Sequence, residues 1–231
     1  MLVAASVNTA SAQKLGNLLN QANSIINGSG VSLSNADVVS GLKEALTVGA
    51  KNSSTKASAF NGFYMNPLIK IPFPKEAKAM EDVLIQAGMK KQVDNFTRTL
   101  NRAAEDAAKD AAPIFINAIT SMNIADGISI LKGGNNAATE FLKSKTLEEL
   151  KAKFRPTIQA SLKKVNITKY WNPLVTKYNK IPLVQKMNPN LDDYVTTKAL
   201  EGLFKLVAEE ELKIRKDPAA RISDLLKKVF G

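Results

Sequence analysis

The chain has 231 residues, 32 of them Lys or Arg and 21 Asp or Glu, for a formal net charge of +11. It contains no histidine and no cysteine, which excludes His-based triads, imidazole acid–base chemistry, His- or Cys-ligated zinc and disulfides. The length suits one sizeable domain with a real core.

The chain opens with twelve uncharged residues that end in Ala10-Ser11-Ala12 before Gln13. This resembles the end of a secretory signal with its small-residue cleavage site, although no basic residue precedes the Leu2-Val3-Ala4-Ala5 run. Residues 1–12 are therefore expected to be a signal-peptide remnant, 13–30 a flexible mature N-terminus and 31–231 a helical domain. The expected destination is the periplasm of a Gram-negative bacterium. No apolar run approaches the twenty residues of a membrane-spanning helix.

Ser34 and Asp37 read as a helix start, and Val38, Leu42, Ala45 and Leu46 recur at helical spacing to about Lys51. Residues 52–66 are less regular and hold Phe60, Phe63 and Tyr64. The prolines of Ile69-Lys70-Ile71-Pro72-Phe73-Pro74 predict an extended segment. A helix should run from Lys75 to about Gln86, stopped by Gly88. From Lys90 onward, Val93, Phe96, Leu100, Ala104, Ala107 and Ala111 form a stripe whose alanines suit close helix packing, with a break expected at Pro113. A short piece spans Asp126 to Leu131 and ends at Gly133-Gly134.

Asn135 and Asn136 can cap a helix from Ala137 to Leu142. Thr146 and Glu149 form a capping-box pattern for a second helix to about Lys164, with a kink at Pro156. A helical stretch from Ile167 to Tyr178, a loop from Pro182 to Asn190 and a long helix from Asp192 to Lys216 follow. Asp217-Pro218 should open a last helix bearing Ile222, Leu225, Leu226, Val229 and Phe230. With no strand pair in view, the fold class is all-α: a single compact, bundle-like domain that includes short, kinked helices.

Several groupings could carry function. Asn101 and Glu105 share a helix face, and Glu105 can either pair with an Arg between helices or line a pocket. Glu211 and Arg215 stand four apart in favourable order and suggest a salt bridge across helix ends. Gly133, Gly134 and Asn135 precede a helix whose free amides could hold an anion, yet they lack the P-loop spacing, and a simple chain reversal explains them as well. Trp171 reads as a core anchor or, with its neighbouring lysines, as an interface residue. Between Lys143 and Lys186 there are 11 basic and 2 acidic residues, a surface suited to anionic lipid or an acidic protein; nucleic acid ranks behind these in an exported chain. No nucleophile elbow is present, helical di-iron sites use Glu-x-x-His pairs that this chain cannot form, and no cofactor is implied.

Collinear stretches carry a family resemblance. They include Leu42-Lys43-Glu44-Ala45-Leu46, Gly62-Phe63-Tyr64, Ile69 to Pro74, Asn101-Arg102-Ala103-Ala104-Glu105 and Ile130-Leu131-Lys132-Gly133-Gly134. Ala137-Ala138-Thr139-Glu140-Phe141, Asp192-Asp193-Tyr194-Val195, Glu210-Glu211, Ile214-Arg215 and Pro218-Ala219-Ala220-Arg221 continue the set. On these the chain resembles a bacterial family of exported proteins of unknown function, number 4197, over about Ile25 to Gly231. It departs from that pattern at Asp126-Gly127-Ile128, where the family has Asp-Ala-Arg. The resemblance implies export and one compact domain, and no activity, cofactor or catalytic residue.

The favoured functional expectation is a non-enzymatic protein with an apolar groove for a lipid or other small amphipathic ligand. Its wall would hold Phe60, Phe63, Tyr64, Phe96, Phe115 and Phe204, with Arg102, Glu105 and Arg215 at the polar edge. One alternative is an interaction module docking its Lys143–Lys186 face on anionic lipid or an acidic partner. The other is an enzyme built on carboxylate and Arg groups.

Overall fold

The computed structural model describes residues 34–164, 171, 175–176, 179–180, 182–183, 186 and 190–216. The expected signal remnant and the expected last helix after Asp217 lie outside these, as does most of the Ile167–Asn190 stretch. The described residues form seven α-helices, one 3-10 turn and no strand: α1 Asn35–Ser58, the turn Lys75–Ala77, α2 Lys78–Gln86, α3 Lys90–Ala108, α4 Ala111–Thr120, α5 Ile124–Lys132, α6 Ala137–Lys164 and α7 Leu191–Lys216. The domain is all-α and compact. α7 packs between α1 and α6 and also touches α3, while α4 and α5 each pack on both α1 and α6. α2 leans on α3 and buries no residue of its own.

The core is one cluster in which Phe63, Leu100, Phe115, Leu150, Phe154, Ile158 and Leu203 lose all exposure. Each large apolar side chain so buried contributes about 1.5–3 kcal/mol. The alanine stripe of α3 performs as expected: Ala103, Ala104, Ala107 and Ala108 are fully buried, and the short side chains let α1, α6 and α7 approach. The apolar α4 and α5 owe their composition to the same core, since Ile114, Phe115, Ile119, Ile130 and Leu131 are all buried. No single described helix is long and apolar enough to cross a membrane.

Three boundaries differ from the sequence reading. α1 continues seven residues past Lys51, because Ser53 and Ser54 are small enough to be buried against the core and the Ser53 hydroxyl returns to the Gly49 carbonyl. The break expected at Pro113 falls earlier, between Ala108 and Ala111, so that Pro113 stands in the first turn of α4, where no intrahelical N–H bond is required. The helices expected at 137–142 and 146–164 are one helix, α6. Thr146 is no cap there: it is buried in mid-helix with its hydroxyl on the Leu142 carbonyl. Pro156 is exposed and stands inside α6, which runs on through it to Lys164.

The buried positions of α6 explain why its length was hard to read. Ala138, Leu142, Thr146, Leu150, Phe154, Ile158 and Leu162 are buried at a strict spacing of four. Each step of four turns about 40° beyond a full revolution, so the apolar row winds round the helix as a single i±4 ridge. Both ends of α6 meet α7, and its C-terminal end also meets α3. At the start, Ala138 and Thr139 meet Glu211 of α7; at the end, Gln159 meets Asp192 of α7 and Ser161 meets Asp106 of α3. α6 and α7 are thus antiparallel.

Candidate functional site

Two polar clamps are built into the core. The first is on α3. Asn101, fully buried, accepts from the Ile71 N–H and donates to the Ile71 carbonyl, both at 2.8 Å. This is the pair of bonds a neighbouring β-strand would make, supplied by one side-chain amide. It holds the extended segment whose alternating Ile69, Ile71 and Phe73 are buried while Lys70 and Pro72 are exposed. One turn later Glu105 accepts from the Phe63 and Tyr64 N–H groups at 3.1 and 3.2 Å and pairs with Arg102. Arg102 also donates to Asn61 Oδ1 and lies 3.7 Å from the centroid of the Phe60 ring. Asn61 itself has a φ of 66°, a left-handed conformation that Asn tolerates.

The second clamp is on α7. Glu211 accepts from the Ala138 and Thr139 N–H groups at 2.9 and 2.8 Å and from the Thr139 hydroxyl at 2.7 Å. Its carboxylate caps the N-terminus of α6, where the helix dipole favours negative charge. Arg215 pairs with Glu211 at 2.7 Å and donates to the Ile130 and Gly133 carbonyls at the C-terminal end of α5. Both side chains are buried. The salt bridge expected between Glu211 and Arg215 therefore does join helix ends, those of α5 and α6. The α6 amides beyond Gly133, Gly134 and Asn135 that an external anion would use are taken by Glu211.

The nine side chains grouped in the sequence as one groove lie in several places. Phe63 and Phe115 are fully buried, whereas Phe60 is 82% exposed under Arg102. Phe115 meets Phe204 edge-on at 5.7 Å. Phe96 stacks with Phe73 and Trp171, so Trp171 is a core residue of the aromatic cluster. Tyr64 pairs with Asp94 and carries Lys70 over its ring at 4.5 Å. The Tyr64 hydrogen bond, followed by the nearby Arg98 charge, outweighs burial and lowers the Asp94 pKa. Arg102 with Glu105 and Arg215 with Glu211 serve the two clamps. Of the nine, Phe204 lines a groove among the described residues.

That groove runs between α6 and α7, with a volume of about 540 Å³. Half-buried Leu147 and Ala208 supply apolar surface over the buried Leu200 and Phe204, which keep 4% and 7% exposure, and Lys143, Lys151, Lys205, Glu140, Glu148 and Glu201 stand along it. Thr196, buried beside it, has a hydroxyl without a hydrogen-bond partner among the described residues. A smaller cleft of about 360 Å³ lies on the adjacent face of α7, against the Pro67–Pro72 segment. Glu201 and Lys205 line both. Phe204 was among the aromatic residues grouped from the sequence; its place beside Leu147 and Ala208 between α6 and α7 was not legible there.

Neither cleft holds a cluster of three or more Asp and Glu able to bind a metal ion, and none exists among the described residues. No curated protein and no solved structure matches the chain. A family model described as "Protein of unknown function (DUF4197)" matches residues 32–231. Gly127 lets α5 lie close on α1, because a Cβ there would stand 2.7 Å from the Val39 methyls. With the match extending from before α1 through the end of the chain, the protein belongs to the DUF4197 family.

Proposed function

We propose that the protein is an exported, non-enzymatic binding protein that takes the apolar part of an amphipathic ligand in the α6/α7 groove. The observation that carries this reading is the groove itself: apolar surface from Leu147, Leu200, Phe204 and Ala208 under a charged rim, in a volume typical of small-ligand sites. The polar groups that might have served catalysis support it indirectly. Asn101, Glu105, Glu211 and Arg215 are engaged in holding backbone. The exposed α6 lysines 143, 145, 151, 153, 163 and 164 are distributed around the helix rather than along one face, which favours the groove over the docking of a flat basic surface.

Native mass spectrometry of protein purified from its own periplasm, followed by organic extraction, tests the proposal. A reproducible bound amphiphile that is absent from the Ala208→Trp variant, whose new ring would fill the groove, is the expected result. Ligand-free protein that also fails to bind dodecanol in vitro would overturn it. Export is tested by N-terminal sequencing of the same sample, with a mature start at Gln13 expected.

A further inference from the structure

We infer that the ligand's headgroup is anionic, and that it sits in the cleft between the Pro67–Pro72 segment and α7 while its chain lies in the α6/α7 groove. The inference rests on the groove reading above and adds the headgroup chemistry to it.

The two cavities occupy adjacent faces of α7. Glu201 and Lys205 form the ridge between them, and both side chains are exposed. From Thr196 to Ala208 the groove follows α7 for about 18 Å, at about 1.5 Å per residue. On one side of the ridge Leu147, Phe204 and Ala208 form an apolar floor between charged rims. The other side gathers Lys70, Lys75, Lys198 and Lys205 against only Glu76 and Glu201. Lys198 and Glu201 satisfy one another at 2.6 Å. Lys70 also lies over the Tyr64 ring at 4.5 Å, near Asp94; Lys75 and Lys205 then face Glu76, and the cleft keeps a positive surplus.

The cleft is held in shape from behind. The Asn101 clamp fixes Ile71, and the Tyr194 hydroxyl donates to the Pro72 carbonyl at 3.1 Å. Gly202 lets the segment lie close on α7, since a Cβ there would stand 2.8 Å from the Phe63 ring and 3.1 Å from Ile69. A positively charged cleft of fixed shape beside an open apolar groove complements an amphiphile with one phosphate or carboxylate group.

The test compares dodecyl phosphate, dodecanol and inorganic phosphate by calorimetric titration of the full chain. The wild type is compared with Ala208→Trp and with the combined Lys70→Gln, Lys75→Gln variant. These two lysines are exposed and line the cleft but not the groove. Dodecyl phosphate should bind about tenfold more tightly than dodecanol, through a few solvent-exposed charge contacts. The double Lys variant should shrink that difference while leaving dodecanol unchanged, and added salt should weaken the phosphate ligand selectively. Ala208→Trp should weaken both amphiphiles.

Equal binding of dodecyl phosphate and dodecanol to the wild type would overturn the headgroup inference and leave the groove reading standing. Binding of neither amphiphile would overturn the groove reading itself. Inorganic phosphate that binds as tightly as dodecyl phosphate would mark a free-anion site and overturn the inference. Self-association of the wild type abolished by Ala208→Trp would assign the groove to a second copy and overturn it as well.

Discussion

The two clamps solve the same problem by different electrostatic means. On α3, Asn101 and Glu105 stand four apart and reach backbone groups of the segment that follows α1. On α7, Glu211 and Arg215 stand four apart and reach the ends of α5 and α6. In both, side chains replace the regular partners that a loop or helix end lacks. The α3 clamp uses a neutral amide and a carboxylate whose partner, Arg102, keeps 28% of its side-chain surface. The α7 clamp is a charge pair with side-chain exposures of 6% and 3%. Water can substitute for Arg102 but has little access to Arg215. The comparison teaches that a shared i, i+4 pattern conceals different energetic dependence: the α7 pair stands or falls together, whereas the α3 pair is separable.

Glu211→Ala gives the largest expected effect. It leaves Arg215 as a buried unpaired charge and uncaps α6, at a cost of about 3–5 kcal/mol by chemical denaturation. A loss below that of Arg102→Ala would break the comparison. Asn101→Leu comes next: the Ile71 N–H and C=O lose their partners in apolar surroundings, for about 3 kcal/mol in total. Exchange of the Ile71 amide should accelerate selectively, with the α6 amides unaffected. Gly202→Ala tests the shape of the segment the first clamp holds. Its methyl forces Phe63 or Ile69 to shift, an overpacking cost of about 1–3 kcal/mol.

Tyr194→Phe is the smallest, about 1 kcal/mol at neutral pH for one hydrogen bond. It has a pH signature as well. Burial first, then the Glu76 and Glu201 carboxylates, push the Tyr194 phenol from 10.0 up to about 12. A phenol whose folded pKa is raised contributes its full stability below pH 10 and loses it as pH rises from 10 toward 12. The wild type should therefore lose stability across that window, and the Phe variant should lose less. Parallel curves would show that folding does not raise the Tyr194 phenol pKa.

Much of this was written in local sequence. Helix period, alanine content, the prolines of Ile69 to Pro74 and the Gly88 stop set the all-α class and most elements, because these signals act within a few residues. Glu211 and Arg215 were legible as a pair, since four-residue spacing on a helix is local geometry. Their targets were not: Ala138, Thr139, Ile130 and Gly133 lie more than seventy residues away in sequence. For the same reason Asn101 gave no sign that it would act in place of a strand, and Thr146 read as a cap although it lies inside α6. The aromatic residues could be counted but not gathered, because hydrophobicity says that a side chain avoids water without saying beside which neighbour. Helical periodicity and chain-breaking residues determined what the segments are. Only tertiary packing decided that α6 and α7 would leave a groove at Leu147, Phe204 and Ala208, with the lysines of a second cleft on the adjacent face of α7.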